Sequence, residues 1–258
     1  MKDASSLAMS YFGKVSATVK LEDNNQVLTE ADIAVGKLLV EKCKLAFPTF
    51  NIIDEEAGVI DNKSPYTIVI DPIDGTSNFA NGLPLFGIFI GVLKEATPIA
   101  GAIALPAFGD IYIAEKGKGA FRNGQRVHVS DTTQLKNALV AYGIDGHQEN
   151  PALTHDETAL LGDIILSVRN LRSSNSAFDF AVVADGRYGL VLNQTSKIWD
   201  NVAAHIVIEE AGGIYTDFYG QPMNYSDALG RNDENYTVCA GSPVLHAEMQ
   251  RVIHTNNT

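Results

Sequence analysis

The stretch Thr67-Ile68-Val69-Ile70-Asp71-Pro72-Ile73-Asp74-Gly75-Thr76-Ser77 holds the most chemically pointed spacing in the chain. An apolar run delivers Asp71 at its end, and Asp74 follows on the same turn beside a glycine. Two carboxylates there, with the Ile73 carbonyl between them, make an oxygen-rich donor set for hard divalent cations. Asp71 is a candidate to bridge two ions, Asp74 to bind one, and the Ile73 carbonyl oxygen to bind another. Gly75, Thr76 and Ser77 can turn backbone N–H groups toward a phosphate if a helix starts there. An isolated Asp-x-x-Asp-Gly would be an ordinary hydrated turn. Its position directly after a buried-type strand is what points to a site.

Two further acidic stretches belong to the same question. In Ile52-Ile53-Asp54-Glu55-Glu56, acids again end a short apolar strand, and either glutamate is a candidate ligand or water-orienting base. In Ile198-Trp199-Asp200-Asn201-Val202-Ala203-Ala204, Asp200 sits at the start of a helix closed by Gly212-Gly213. An N-cap role alone would account for that aspartate. Ala203 and Ala204 are small enough to let the helix approach closely.

The elements that must position these acids read as follows. Residues 3–12 read as the end of a helix. Thr29-Glu30-Ala31-Asp32 has the form of a capping box and opens an amphipathic helix that stops at Phe47-Pro48. Strands are expected near Phe50–Ile53 and Thr67–Ile70, with Pro72 ending the second as a paired central strand. A strand-rich stretch runs from Phe86 to Val129, with a hairpin at Arg122-Asn123-Gly124-Gln125. Beyond about Asp131 strands and helices alternate: Ala138–Tyr142 strand, Asp156–Val168 helix, Ser176–Ala184 helix, Arg187–Leu192 strand, Asn201–Ala211 helix, Ile214–Thr216 strand. This divides the chain into an α+β half, residues 1–130, carrying most of the acids, and an α/β half, residues 131–258, completing the site.

Composition narrows the function classes. At 258 residues and 45% apolar content, the chain can bury a substantial core. No apolar run approaches the ~18 residues of a membrane span, and the N-terminal residues show no signal-peptide pattern, so a cytoplasmic location is expected. Cys43 and Cys239 match no disulfide framework or zinc spacing. A net charge of −12 argues against a nucleic-acid or anionic-membrane partner. It is compatible with an anionic small-molecule substrate where carboxylates hold cations and make the local field positive.

Asp71-Pro72-Ile73-Asp74-Gly75-Thr76, with Trp199-Asp200-x-Ala-Ala and Glu210-Ala211-Gly212-Gly213, resembles the inositol monophosphatase family of lithium-sensitive, magnesium-dependent phosphatases. The likeness runs from about Lys20 to Gly213. It implies an α/β fold of the sugar phosphatase type, a layered αβαβα sandwich, and a homodimer. It also implies two or three Mg2+ ions and a small phosphate ester as substrate. Carried over by position, Glu55, Asp71 and the Ile73 carbonyl hold a first ion, and Asp71, Asp74 and Asp200 a second. Glu55 also faces a third, and Thr76 with Glu55 orients the attacking water. Asp32 stands behind Thr76, and Lys20 falls near the family's mobile active-site loop. Arg172-Ser173-Ser174-Asn175-Ser176-Ala177 falls on the family's substrate-side Arg-x-x-Gly-Ser/Thr-Ala pattern, with Ser176 matching it and Asn175 in the glycine's place. The implied reaction is direct attack of metal-activated water on the phosphate monoester of a polyol or sugar-like alcohol.

Three departures bear on substrate. Asp54 precedes Glu55 where the family has glycine, which adds a charge beside the metals. Asn175 also replaces a glycine. Asn193 replaces the glutamate that inositol-specific members present to substrate hydroxyls, and an amide can donate as well as accept. Histidinol phosphate, fructose 1,6-bisphosphate and nucleotide 3'-phosphates therefore stand as alternative substrates. A non-catalytic regulatory binding role is a further alternative. A haloacid dehalogenase-type site fails on spacing, because Pro72 stands where the nucleophilic aspartate is needed. No P-loop string occurs.

Overall fold

Neighbouring residues on the central strands point to opposite faces, and here each face meets its own layer of helices. The computed structural model describes residues 1–14, 18–20, 26–148 and 150–255. The chain opens with α1 (Lys2–Tyr11), a hairpin of β1 (Thr18–Lys20) and β2 (Gln26–Leu28), and α2 (Glu30–Ala46). The Lys20 side chain lies outside the described residues. An eight-stranded sheet follows: β3 (Asn51–Asp54), β4 (Gly58–Ile60), β5 (Tyr66–Asp74), β6 (Gly87–Lys94), β7 (Thr97–Leu105), β8 (Asp110–Glu115), β9 (Gly119–Arg122) and β10 (Gln125–Arg126). The short α3 (Thr76–Ala80) leaves β5 on its way to β6. Every pairing in this sheet is antiparallel except β3 with β5.

The second half holds β11 (Leu139–Gly143), α4 (Pro151–Ala159), α5 (Leu161–Ser167), β12 (Asn170–Arg172), α6 (Ala177–Ala184), β13 (Leu190–Ser196), α7 (Ile198–Glu210), β14 (Ile214–Thr216), β15 (Tyr236–Gly241) and α8 (Pro243–Thr255). Its five strands run in the order β12-β11-β13-β15-β14.

Three apolar clusters set the layers. Ala4 and Ala8 of α1 with Val35 and Leu39 of α2 pack on Ile52, Ile68, Ile70 and Ile88. On the opposite face, Phe89, Ile103 and Tyr112 pack on Ala181 of α6 and on Ala203, Ala204 and Val207 of α7. Those two helices also cover Ala141, Val191, Val238 and Ala240 of the second sheet. Val140, Tyr142 and Leu192 on its far face meet Ile164 of α5 and Leu245 and Met249 of α8. The order is helix, sheet, helix, sheet, helix, the layered αβαβα sandwich expected. Among the described residues no helix is long and apolar enough to cross a membrane.

Helix α7 lies unusually close to the first sheet, and two glycines permit it. A Cβ on Gly101 would stand 2.5 Å from Ile206 Cγ2 and 2.8 Å from the Ala203 carbonyl oxygen. A Cβ on Gly91 would stand 2.6 Å from Val202 Cγ1 and 2.8 Å from Ala203 N. The small residue at 203 therefore works together with bare backbone on β6 and β7. This seam brings the start of α7 up to the end of β5.

Several expectations are corrected. Pro72 does not end β5: pairing with β6 passes from Asp71↔Phe89 to Asp74↔Gly87, so β5 carries one residue more than its partner. On the other side β3 stops pairing at Ile70. A proline inside this bulge forfeits no ladder hydrogen bond. Residues 156–168 form no single helix, because α4 and α5 break at Leu160. Strand β13 begins three residues later than expected and runs on to Ser196, because the preceding residues still close α6, with Gly186 N–H donating to the Val183 carbonyl and Tyr188 N–H to that of Val182. Helix α7 starts at Ile198, so Asp200 is its third residue rather than its N-cap.

Candidate active site

The bulge that absorbs Pro72 also aims the acids. Asp71 and Asp74 leave the end of β5, and Glu55 follows β3, the neighbouring parallel strand. Asp200 reaches the same place from the first turn of α7. Its Oδ2 accepts the Lys197 N–H at 2.7 Å, which fixes the side chain in the manner of a capping box. All four acids line one cavity of about 300 Å3. Ile73, Gly75, Thr76, Ser77, Asn175, Ser176 and Asn193 line it too. The sequence-derived set therefore comes together in one place, apart from Asp32, which lies one layer behind.

Asp32 is fully buried and divided between two tasks. Its Oδ2 accepts the Thr29 N–H at 2.8 Å, closing the capping box of α2. Its Oδ1 stands 3.1 Å from Thr76 Oγ1, which also lies 2.8 Å from the Ile73 carbonyl oxygen. The single hydroxyl proton of Thr76 thus has two acceptors on the protein side. Its lone pairs are left toward the cavity. Gly75, at φ +87°, makes the left-handed turn between β5 and α3, and a Cβ there would stand 2.7 Å from Ser176 Cβ.

The opposite wall comes from the second half. Ser176 caps α6, its Oγ accepting the Phe178 N–H. Asn175 takes φ +50°, the left-handed region. The family's glycine suits that conformation, and asparagine is among the few other residues that tolerate it. Asn193 is buried, and both ends of its amide are engaged: Oδ1 accepts the Thr195 N–H at 2.7 Å, and Nδ2 donates to Asn175 Oδ1 at 3.3 Å. Asp54 does not join the acidic wall. Its Oδ1 accepts the Glu56 and Ala57 N–H groups, and the carboxylate packs over Gly36 of α2. Sequence reasoning passed over Asp145, Thr195 and Lys197, which also line the cavity. The polar run Asn193-Gln194-Thr195-Ser196 was the available signal for this wall, but it reads as a loop.

Electrostatics mark the acidic wall. Burial, followed by the charges of Glu55, Asp74 and Asp200, pushes the Asp71 carboxyl well above its ordinary range. Burial, followed by Asp200 and Glu55, does the same to Asp74. Asp200 is pushed up to about 6, chiefly by burial and against the Lys197 N–H bond. Asp71 Oδ1 is buried with no hydrogen-bond partner among the described residues. Lys197 is the one basic side chain among the described lining residues, and its ammonium is held by Asp233 at 2.7 Å. The wall therefore concentrates negative charge, with no free side-chain cation among the described lining residues to balance it.

The profile of the inositol monophosphatase family matches residues 1–256. The chain belongs to that family. Family membership makes it a hydrolase of phosphate monoesters. It is 32% identical over 223 residues to a fructose-1,6-bisphosphatase/inositol-1-monophosphatase of Aquifex aeolicus, covering 86% of this chain and 83% of that protein. It is 30% identical over 237 residues to a histidinol-phosphatase of Chlorobaculum parvum, covering 89% of this chain and 90% of that one. Among solved structures, the Thermotoga maritima IMPase superposes with a TM-score of 0.85 at 28% identity, covering 99% of this chain and 94% of that one. The family likeness thus reaches beyond the Lys20–Gly213 stretch read from the sequence.

Proposed function

We propose that this inositol monophosphatase family member hydrolyses the phosphate monoester of a small polyol or sugar-like alcohol, with magnesium held at the acidic wall. One observation carries the reading: Glu55 after β3, Asp71 and Asp74 at the end of β5 and Asp200 at the start of α7 converge on a cavity whose only described basic side chain is already paired. A dianionic phosphate would be repelled there unless cations intervene. The donor set suits Mg2+, being hard oxygens throughout, with the Ile73 carbonyl and the orphaned Asp71 Oδ1 among them. Among the described residues no group of three His, Cys, Asp or Glu side chains is placed, as it stands, to hold a metal ion. Asp71, Asp74 and Asp200 would therefore have to draw together around an ion, with water and substrate phosphate completing its shell.

Bound at this wall, divalent ions supply positive charge against the phosphate and acidify a water. The chain's own groups do the positioning. Glu55, Asp71 and the Ile73 carbonyl would hold one ion, with Asp71, Asp74 and Asp200 holding another. Thr76 Oγ1, its proton turned toward Ile73 and Asp32, accepts from the attacking water, and Glu55 is the base nearest in role. Asp32 is a positioning residue acting through Thr76. The Gly75–Ser77 backbone faces the phosphate, and Ser176 with Asn175 borders the leaving alcohol. Inhibition by lithium, a homodimer and a cytoplasmic location follow from the same reading.

Phosphate release from a panel of esters tests it, measured with magnesium, after chelation and after magnesium is restored. Turnover should vanish on chelation and return with the ion. Undiminished turnover in excess chelator would remove the proposal.

A further inference from the structure

The cavity wall from the second half holds a chain of amides that ends on a carboxylate. It begins at Asn193, whose Oδ1 is taken by the Thr195 N–H and whose Nδ2 donates to Asn175 Oδ1. Asn175 Nδ2 then donates to Asp145 Oδ1 at 2.8 Å. The wall is built to fit this pair of amides: a Cβ on Gly143 would lie 2.3 Å from Asn175 Oδ1 and 2.8 Å from Asn193 Nδ2. Asp145 Oδ2 receives no hydrogen bond from any described residue, and Asp145 lines the cavity. His147, the nearby basic group, is turned elsewhere, with Nε2 3.2 Å from Thr195 Oγ1 and 3.5 Å from Glu157 Oε2.

We infer that Asp145 is a specificity-determining residue, its free oxygen accepting a hydrogen bond from a second donor group, hydroxyl or ammonium, on the leaving alcohol. The inference rests on the phosphatase reading above. Asn193, with its amide engaged, acts by fixing Asn175, and Asn175 fixes Asp145. An acceptor for a substrate donor is thereby supplied from the loop after β11. The favoured substrates are phosphate esters whose alcohol carries such a donor.

The test compares inositol 1-phosphate, histidinol phosphate and p-nitrophenyl phosphate, the last having no donor on its leaving group, all with magnesium. Asp145→Ala should lower kcat/KM for the first two by about tenfold to a hundredfold, the range of a hydrogen bond to a charged group. Turnover of p-nitrophenyl phosphate should stay within about twofold, since such a bond is absent from it. Asp145→Asn keeps the oxygen that accepts from Asn175, drops the charge and sets an NH2 where the free oxygen stood, from which a substrate hydroxyl can accept and an ammonium cannot. It should restore the inositol ester where a hydroxyl is read, and leave the histidinol ester impaired where an ammonium is read. Equal loss on all three esters, or loss on none, would overturn the assignment. A wild-type enzyme inert toward all three would instead remove the phosphatase reading, and this assignment with it.

Discussion

Asp71→Asn is expected to lower kcat/KM by at least about a thousandfold while leaving the fold intact. The carboxylate stands at the centre of the acidic wall, and losing its charge removes several kcal/mol of cation-mediated stabilisation. The same substitution should change the pH dependence of stability in metal-free protein. The folded-state pKa of Asp71 lies above its unfolded value near 3.8. Between those two values the folded state binds more protons than the unfolded one. Stability therefore falls as pH rises from about 4 to the folded pKa, and is level beyond it. The asparagine variant should lose this part of the slope, and near neutral pH without metal it should melt no lower than wild type. Urea titrations across pH with and without magnesium check both statements. Near-wild-type turnover in Asp71→Asn would contradict the assigned role.

Asp200→Asn should cost about a hundredfold to ten-thousandfold in kcat/KM, again with helix α7 preserved. The asparagine oxygen can still accept the Lys197 N–H that Asp200 Oδ2 accepts at 2.7 Å, so the first turn keeps its cap. What disappears is the charge delivered by the second half of the chain. In metal-free protein, wild-type Asp200 takes up its proton near pH 6, above the unfolded value of 3.8. Its contribution to stability is therefore fully present below about pH 4 and lost as pH rises through about 6. The variant should flatten that segment. Circular dichroism melts at pH 4, 6 and 8, beside turnover measured with saturating magnesium, separate loss of chemistry from loss of fold.

The first-half acids were legible because local sequence makes them conspicuous: an apolar run ending in Asp71, a capping box at Thr29 and Asp32, a glycine at 75. Asp200 was legible through its company, a tryptophan before it and a double glycine at the helix end. The layering was not contained in strand or helix periodicity, which says that a face is buried but not what buries it. It came from the family resemblance. The seam of Gly91 and Gly101 against Ala203 depends on a contact between distant segments, so no local pattern reports it. Pro72 misled for a related reason: its cost vanishes in a bulge whose existence depends on the register of β5 against β6. Asp145 was missed because it sits in a loop with ordinary neighbours, and only the Asn193–Asn175 amide chain gives it meaning.

The central claim is that acids from both halves hold divalent ions together. Anomalous diffraction from a crystal soaked in manganese tests it most directly. Peaks are predicted among the carboxylates of Glu55, Asp71, Asp74 and Asp200, with the Asp200 oxygen among the ligands. Absence of any peak there, or a peak that Asp200 does not touch, would contradict the account.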